Sequence, residues 1–256
     1  MDVSDLKSYA QLDTYCKATE CGMGDKLFAS VLIGDLQEAA EHGSGNIGYG
    51  TEFLKTQNIC WIILRMKLSF DRLPSWEEHF KVQTWATGID RISYGRDFRI
   101  VDSEGNVIGR STSTWILADW NTHRPVIARK RPELPVYDPE PALKVYGYDC
   151  PKLDFPDRSS FTGCEPTIIK FADFSELDRN RHVNNSRYTA WAYDAVFKSG
   201  VDINIIKGLT INYNSEVHAG EKVELYVVSR QGYASVYGYK NNDVKVFCVE
   251  MELNDV

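Results

Sequence analysis

Asp178, Asn180 and His182 occupy alternate positions in the run Asp178-Arg179-Asn180-Arg181-His182-Val183-Asn184-Asn185-Ser186-Arg187-Tyr188, which brings a carboxylate, an amide and an imidazole within five residues. If the chain is extended there, the two-residue period of a strand puts all three heads on one side. The amphipathic run that follows predicts a helix over about 185–199, with Tyr188, Trp191, Ala192, Ala195 and Val196 as its apolar stripe. The start of such a helix presents unsatisfied N–H groups and the positive end of its dipole. A carbonyl held at that spot would be polarised beside groups able to move a proton. The same residues also suit a polar turn with an asparagine cap.

The elements around this run read as two similar halves. Residues 26–42 carry Phe28, Val31, Leu32, Leu36 and Ala39 at helical spacing, with Asp25 as the expected N-cap and Gly43 as the stop. Strand-like runs follow at 58–70, 79–88, 92–102 and 107–119, the last two joined by the Ser-Glu-Gly-Asn turn at 103–106. In the second half come a strand at 167–171, the Asp178 run and its helix, then strands at 209–217, 222–230, 233–240 and 245–253. Local wording repeats too, since MKLSF before WEEHFKV is echoed by LTINY before EKVEL. Six of the nine prolines (Pro132, Pro135, Pro139, Pro141, Pro151, Pro156) fall between the halves, where regular structure is disfavoured. The expected organisation is therefore a domain at 1–131, a proline-rich linker at 132–160 that packs along the body through Tyr137, Tyr146, Tyr148 and Phe155, and a domain at 161–256. A long helix followed by an antiparallel sheet that wraps it is the hotdog arrangement, so the fold expected is α+β, a double hotdog.

Composition excludes several classes of function. With 43% apolar residues among 256 the chain can bury a substantial core, and its net charge of −7 argues against holding nucleic acid through phosphate neutralisation. It has no run of 18 apolar residues, and its first thirty lack the pattern of a signal peptide, so no membrane role is expected and the protein is placed in a cytoplasm. Cys16, Cys21, Cys60, Cys150, Cys164 and Cys248 are scattered without zinc-like spacing, and reduced thiols are expected. Asp178 and His182 have the i, i+4 spacing of metal ligands, but no further ligand is nearby in sequence. No metal is expected.

The pattern D-x-N-x-H-V-N-N-x-x-Y at 178–188, followed by Trp191, resembles the signature of the acyl-acyl carrier protein thioesterases of plants and bacteria. The first half, from LRMKLSF through Trp76, Trp85 and Trp115 to WILAD, is similar to the same family, so the resemblance covers most of the chain. It implies hydrolysis of the thioester between a fatty acyl chain and the carrier's phosphopantetheine, which frees the acid and ends elongation. It implies no cofactor beyond that substrate-borne arm, and acyl carrier protein as partner. Asp178, Asn180 and His182 match the family's catalytic Asp, Asn and His, and Glu216 matches a further acidic residue. The family has cysteine after that Glu. This chain has Val217.

On that basis Glu216 is the expected general base, with His182 orienting or polarising the reacting groups and Asn180 holding the carbonyl or the water. The amides of Val183 and Asn184 are the expected oxyanion donors. Asp178 either positions its neighbours or attacks the carbonyl itself. Glu216 also reads as a solvated strand-end charge, and His218 as an exposed hairpin residue. The first half has Glu20-Cys21-Gly22-Met23-Gly24-Asp25 where the second has the catalytic run, so it is expected to bind the acyl chain, with Met23, Val31, Leu32 and Trp115 as lining candidates. Arg124, Arg129, Lys130 and Arg131 form a basic cluster suited to an acidic carrier protein. Homodimers in the family make a homodimer conceivable here. The absence of a transit segment points to a bacterial enzyme. Other readings of the same pattern are a hotdog acyl-coenzyme A thioesterase, a hotdog dehydratase or hydratase, and a non-catalytic acyl-binding module.

Overall fold

The computed structural model describes residues 2–137, 143–241 and 243–254. The chain forms two compact units, Met1–Cys150 and Pro151–Val256. In the first, strands β1 (Ala10–Tyr15), β2 (Ile59–Phe70), β3 (His79–Asp90), β4 (Ser93–Asp102) and β5 (Val107–Asp119) lie in the order β1-β3-β4-β5-β2, each antiparallel to its neighbour. Helices α1 (Ala29–Asn46) and α2 (Thr51–Thr56) precede β2. The second unit has β6 (Ile168–Phe171), α3 (Asn185–Lys198), β7 (Ile206–Tyr213), β8 (Lys222–Arg230), β9 (Tyr233–Lys240) and β10 (Val244–Leu253), with antiparallel order β7-β10-β9-β8-β6. No helix among the described residues is long and apolar enough to cross a membrane.

Helices α1 and α3 each lie against their own unit's sheet; the stripe expected for α3 is buried in full, whereas of the one expected for α1 Leu32, Leu36 and Ala39 are buried, Val31 is half-buried and Phe28 is exposed before the first helical residue. From α1, Ala29, Leu32, Ile33, Leu36, Ala39 and Ala40 are buried, and the helix packs on β1 and β3. From α3, Tyr188, Trp191, Ala192, Ala195 and Val196 are buried, and the helix packs on β6, β8, β9 and β10. Two expected ends of the first helix are wrong. Asp25 is no cap, because it turns the chain with φ 55° just after Gly24, and Phe28 precedes the first helical residue. Gly43 is no stop either. It is a buried point of close approach, where an added Cβ would come within 2.4 Å of Arg96 Nη1 and 2.8 Å of the Ser8 carbonyl. The helix runs on to Asn46.

The proline-rich segment is divided between the units. Leu134 is buried with Tyr49, Leu54, Ile59 and Leu117, the Tyr49 hydroxyl donates to the Pro135 carbonyl at 2.7 Å, and the Trp85 indole donates to Leu143 at 2.9 Å. Beyond Cys150 the chain joins the second unit, where Phe155 and Phe161 pack among Tyr226, Tyr237 and Tyr239 and the Tyr239 hydroxyl donates to Pro156 at 2.8 Å. Pro139 and Pro141 lie outside the described residues.

The halves repeat in their backbone hydrogen bonds as well as in element order. In the first, Leu27 N–H donates to the Pro74 carbonyl and Phe28 N–H to Glu20, and Lys26 bridges to Ser75. In the second, Val183 N–H donates to Val217 and Asn184 N–H to Glu176, and His182 bridges to His218. One frame therefore appears twice, with Lys26 and Ser75 in the first copy at the places of His182 and His218 in the second.

Candidate active site

The chain at 178–182 is not extended. Leu177 pairs with Val183 across a tight turn in which Asp178 N–H donates to the His182 carbonyl at 2.8 Å and Arg181 N–H to the Asp178 carbonyl at 3.0 Å, with Arg181 at φ 67°. The Asp178 carboxylate holds this turn from inside, since its Oδ1 accepts from the amide of Asn180 at 2.7 Å and more weakly from that of His182 at 3.4 Å. That is ordinary Asx-turn behaviour. Asn180 sits exposed at the tip, so the shared face expected for Asp178, Asn180 and His182 does not form.

What the turn does is deliver His182 to the segment that leaves β7. There Glu216 and His218 flank Val217, whose side chain is fully buried and whose carbonyl accepts from Val183 N–H at 2.8 Å. With the side chain at 217 turned into the core, the alternation of an extended segment sends Glu216 and His218 outward. His182 Nε2 lies 3.3 Å from Glu216 Oε2, and the two side chains are 20% and 38% exposed, so the imidazole is partly shielded and the carboxylate is the more open to water. The His218 ring stands edge-on to His182 with centroids 4.8 Å apart. Possible ligand atoms of His182, Glu216 and His218 all lie within 4.8 Å of one another.

Behind this group one ammonium ties the segment down. Lys240, at the end of β9, donates from Nζ to the Glu216 carbonyl at 2.6 Å and to Glu221 Oε2 at 2.8 Å, and the same Glu221 oxygen accepts from His218 N–H at 2.7 Å. Burial works to raise the Glu221 carboxyl, but the Lys240 bond and the His218 amide outweigh it and hold the group below its usual range. On the other flank, Glu176 accepts from the Trp191 indole at 2.6 Å, and Tyr188 meets Trp191 edge-to-face, which sets the start of α3.

The residue types and their frame match known proteins. Residues 13–130 match the acyl-ACP thioesterase N-terminal domain, and residues 169–248 match the acyl-ACP thioesterase C-terminal domain. The chain belongs to the acyl-ACP thioesterase family. Among curated relatives, the chloroplastic oleoyl-acyl carrier protein thioesterase 2 of Arabidopsis thaliana is 28% identical over 229 residues, covering 83% of this chain and 61% of that protein. The chloroplastic palmitoyl-acyl carrier protein thioesterase of Gossypium hirsutum is 28% identical over 211 residues, 78% of this chain and 50% of that protein. The chain thus spans between half and about three-fifths of the length of these relatives. In fold it is similar to an acyl-ACP thioesterase from Bacteroides thetaiotaomicron, with TM-score 0.80 and 21% identity over 99% of this chain and 100% of that one. It is also similar to a 12:0-ACP thioesterase from Umbellularia californica, with TM-score 0.77, 21% identity, and 96% and 97% coverage. The fold is the double hotdog.

Within this family frame, several residues expected from sequence stand elsewhere than proposed. The amides of Val183 and Asn184 cannot serve as oxyanion donors, because each already donates to a carbonyl, that of Val217 or Glu176. Ser186 N–H is capped by the Asn184 side chain at 2.9 Å and Arg187 N–H bonds the Asn184 carbonyl. Met23 is 70% exposed and lines no buried surface, Leu32 belongs to the core stripe of α1, and Val31 is half-buried. Trp115 is half-buried on β5, its indole N–H held by Ser113 Oγ at 2.7 Å. Arg124, Arg129 and Lys130 are exposed, whereas Arg131 is engaged by Glu133 and the Gln57 carbonyl. His218, read from sequence as an exposed hairpin residue, is exposed, and the fold places it beside His182 and Glu216. Its signal was parity with Glu216, two positions away on the same face. The valine at 217 also acquires a structural meaning, since a cysteine there would point into the core, away from His182.

Proposed function

We propose that the protein hydrolyses fatty acyl thioesters of acyl carrier protein and releases the free acid. The observation that carries this reading is the 3.3 Å contact between His182 Nε2 and Glu216 Oε2, in the second copy of a frame whose first copy holds Lys26 and Leu73 at the matching places. Glu216 takes a proton from a water that attacks the thioester carbon. The tetrahedral intermediate then expels the thiolate, which leaves as the thiol with a proton returned through His182. A thioester carbonyl is electrophilic enough for one carboxylate and one oriented water. Asp178 acts in this scheme by shaping the turn, since its Oδ1 is occupied by two amides.

The relatives are named for oleoyl and palmitoyl thioesters of the carrier protein, which supports the same substrate class here. Exposed Arg179, Arg181 and Arg187 surround the catalytic turn and suit an acidic carrier, with Arg124, Arg129 and Lys130 as a second basic surface. Acyl-chain binding falls in this reading to the first unit, which lacks the acid–base pair. A bacterial cytoplasm is the setting we assign, and six cysteines held as thiols suit its reducing conditions. Incubation with acyl carrier protein thioesters tests the proposal through release of free thiol and acid. Glu216→Gln and His182→Ala should each lower turnover by about 10²-fold or more with folding retained. Near-normal turnover of Glu216→Gln removes it from the base role, and hydration of enoyl thioesters without thiol release makes the protein a hydratase.

A further inference from the structure

His218 is not needed for the scheme above, yet its ring is held against the reacting pair. Its backbone is pinned on both sides, by the bridge to His182 and by the N–H bond to Glu221, while its side chain is exposed and able to rotate. Two imidazoles and a carboxylate converging from two segments of chain form a His₂Glu donor set, a combination that binds zinc with a fourth position left open. Tetrahedral zinc with nitrogen and oxygen ligands at about 2.0–2.2 Å needs ligand atoms roughly 3.3–3.6 Å apart. His182 Nε2 and Glu216 Oε2, at 3.3 Å, already meet that spacing. The full set lies within 4.8 Å, so closing it takes a movement of about an ångström from the exposed His218 ring. The first-unit frame, with Lys26 donating to Ser75 Oγ at 2.6 Å, has no such set in the matching place.

We infer that His182, Glu216 and His218 bind a zinc-type divalent cation, and that the bound ion switches the thioesterase off. Imidazole nitrogen selects zinc, cobalt, nickel or copper over magnesium and calcium, which prefer all-oxygen shells. Occupation takes the Glu216 lone pair and His182 Nε2, the two groups that hydrolysis requires. This inhibitory consequence rests on the proposed function, whereas the binding does not.

Titration of the metal-free protein with cobalt(II), followed by the visible absorption of a four-coordinate ion, and calorimetry with zinc chloride read the binding directly. One ion per chain is expected, with affinity at least about tenfold weaker in His218→Gln and no comparable binding of magnesium. Turnover of an acyl carrier protein thioester should fall as zinc is added and return with a chelator. The zinc concentration that halves the rate should rise at least about tenfold in His218→Gln, measured against that variant's own metal-free rate. Equal zinc affinity in His218→Gln and wild type overturns the site. Zinc-stimulated turnover overturns the inhibitory role, because the open fourth position would then be supplying an activated water. If the protein turns over no thioester at all, the proposed function fails, and the cobalt titration still decides the binding.

Discussion

Replacing Lys240 by methionine keeps an unbranched chain of similar length but removes the ammonium that ties the segment 216–221 together. The lysine side chain is 11% exposed and makes two bonds, one to the Glu216 carbonyl and one to Glu221. Hydrogen bonds involving a charged group contribute about 1.5–3 kcal/mol each. Glu221 is 27% exposed and regains water when the lysine is lost, which brings the expected net cost down to about 2–3 kcal/mol, at or below the lower end of the sum. Urea unfolding at pH 7, followed by intrinsic tryptophan fluorescence, should show a midpoint lower by about 1 M.

The sign of the pH dependence is fixed by Glu221. Its folded carboxyl lies below the usual value of 4.5, so the stabilisation it carries is complete above that value and is lost as pH falls through the lower, folded one. The gap between wild type and Lys240→Met should therefore be widest near neutrality and narrow in acid. Turnover should fall about tenfold with little change in KM, because the base drifts while the rest of the site stays in place. A variant within about 0.5 kcal/mol of wild type and of normal activity would refute this account. The position of Glu216 would then be set by β7 alone.

Val217→Cys should leave turnover within about threefold of wild type, because the side chain at 217 is fully buried on the face away from His182. A large gain in rate, abolished by alkylation, would restore a thiolate mechanism. Asp35 on α1 has its carboxyl pushed up to about 6, by burial first and by Glu20 second, so folding loses stability as pH rises from about 3.8 to about 6. Asp35→Asn should be more stable than wild type at pH 8, by about 1–2 kcal/mol, and the gain should vanish below pH 4 in thermal melts. Gly238→Ala on β9 would bring a Cβ within 2.7 Å of the buried Phe247 ring directly across the ladder, and should cost about 1–3 kcal/mol in denaturant unfolding. Reversing the exposed Arg179 and Arg181 to Glu should raise KM for carrier-linked substrate more than for the same acyl chain on coenzyme A, and equal effects on both would remove them from docking.

Much of the fold was legible because it is written in local periods. The stripe of α3, the limits of β5, β8 and β9, and the Ser-Glu-Gly-Asn turn follow from spacing within a dozen residues. The turn is confirmed in detail, with Asp102 Oδ1 accepting from the amides of Glu104 and Asn106 and Gly105 at φ 91°. Strand β1 was missed because only Ala10 in it is buried, which leaves almost no alternation to read. Gly43 was misread because its reason is a neighbour far along the chain, Arg96, that no helical period reveals.

The site divides along the same line. Sequence alone determined the order of the elements other than β1 and their duplication, and it pointed to the second copy, with His182 and Glu216, as the place of the proposed chemistry. Those conclusions depend on residue types and short spacings. Only tertiary structure decided that 178–182 is a turn and not a strand, that the amides of Val183 and Asn184 are already committed, and that His218 joins His182 and Glu216. Each of these depends on which distant segment a backbone group meets. The Val183 amide finds the carbonyl of Val217, and that one bond aligns two loops so that an imidazole and a carboxylate touch.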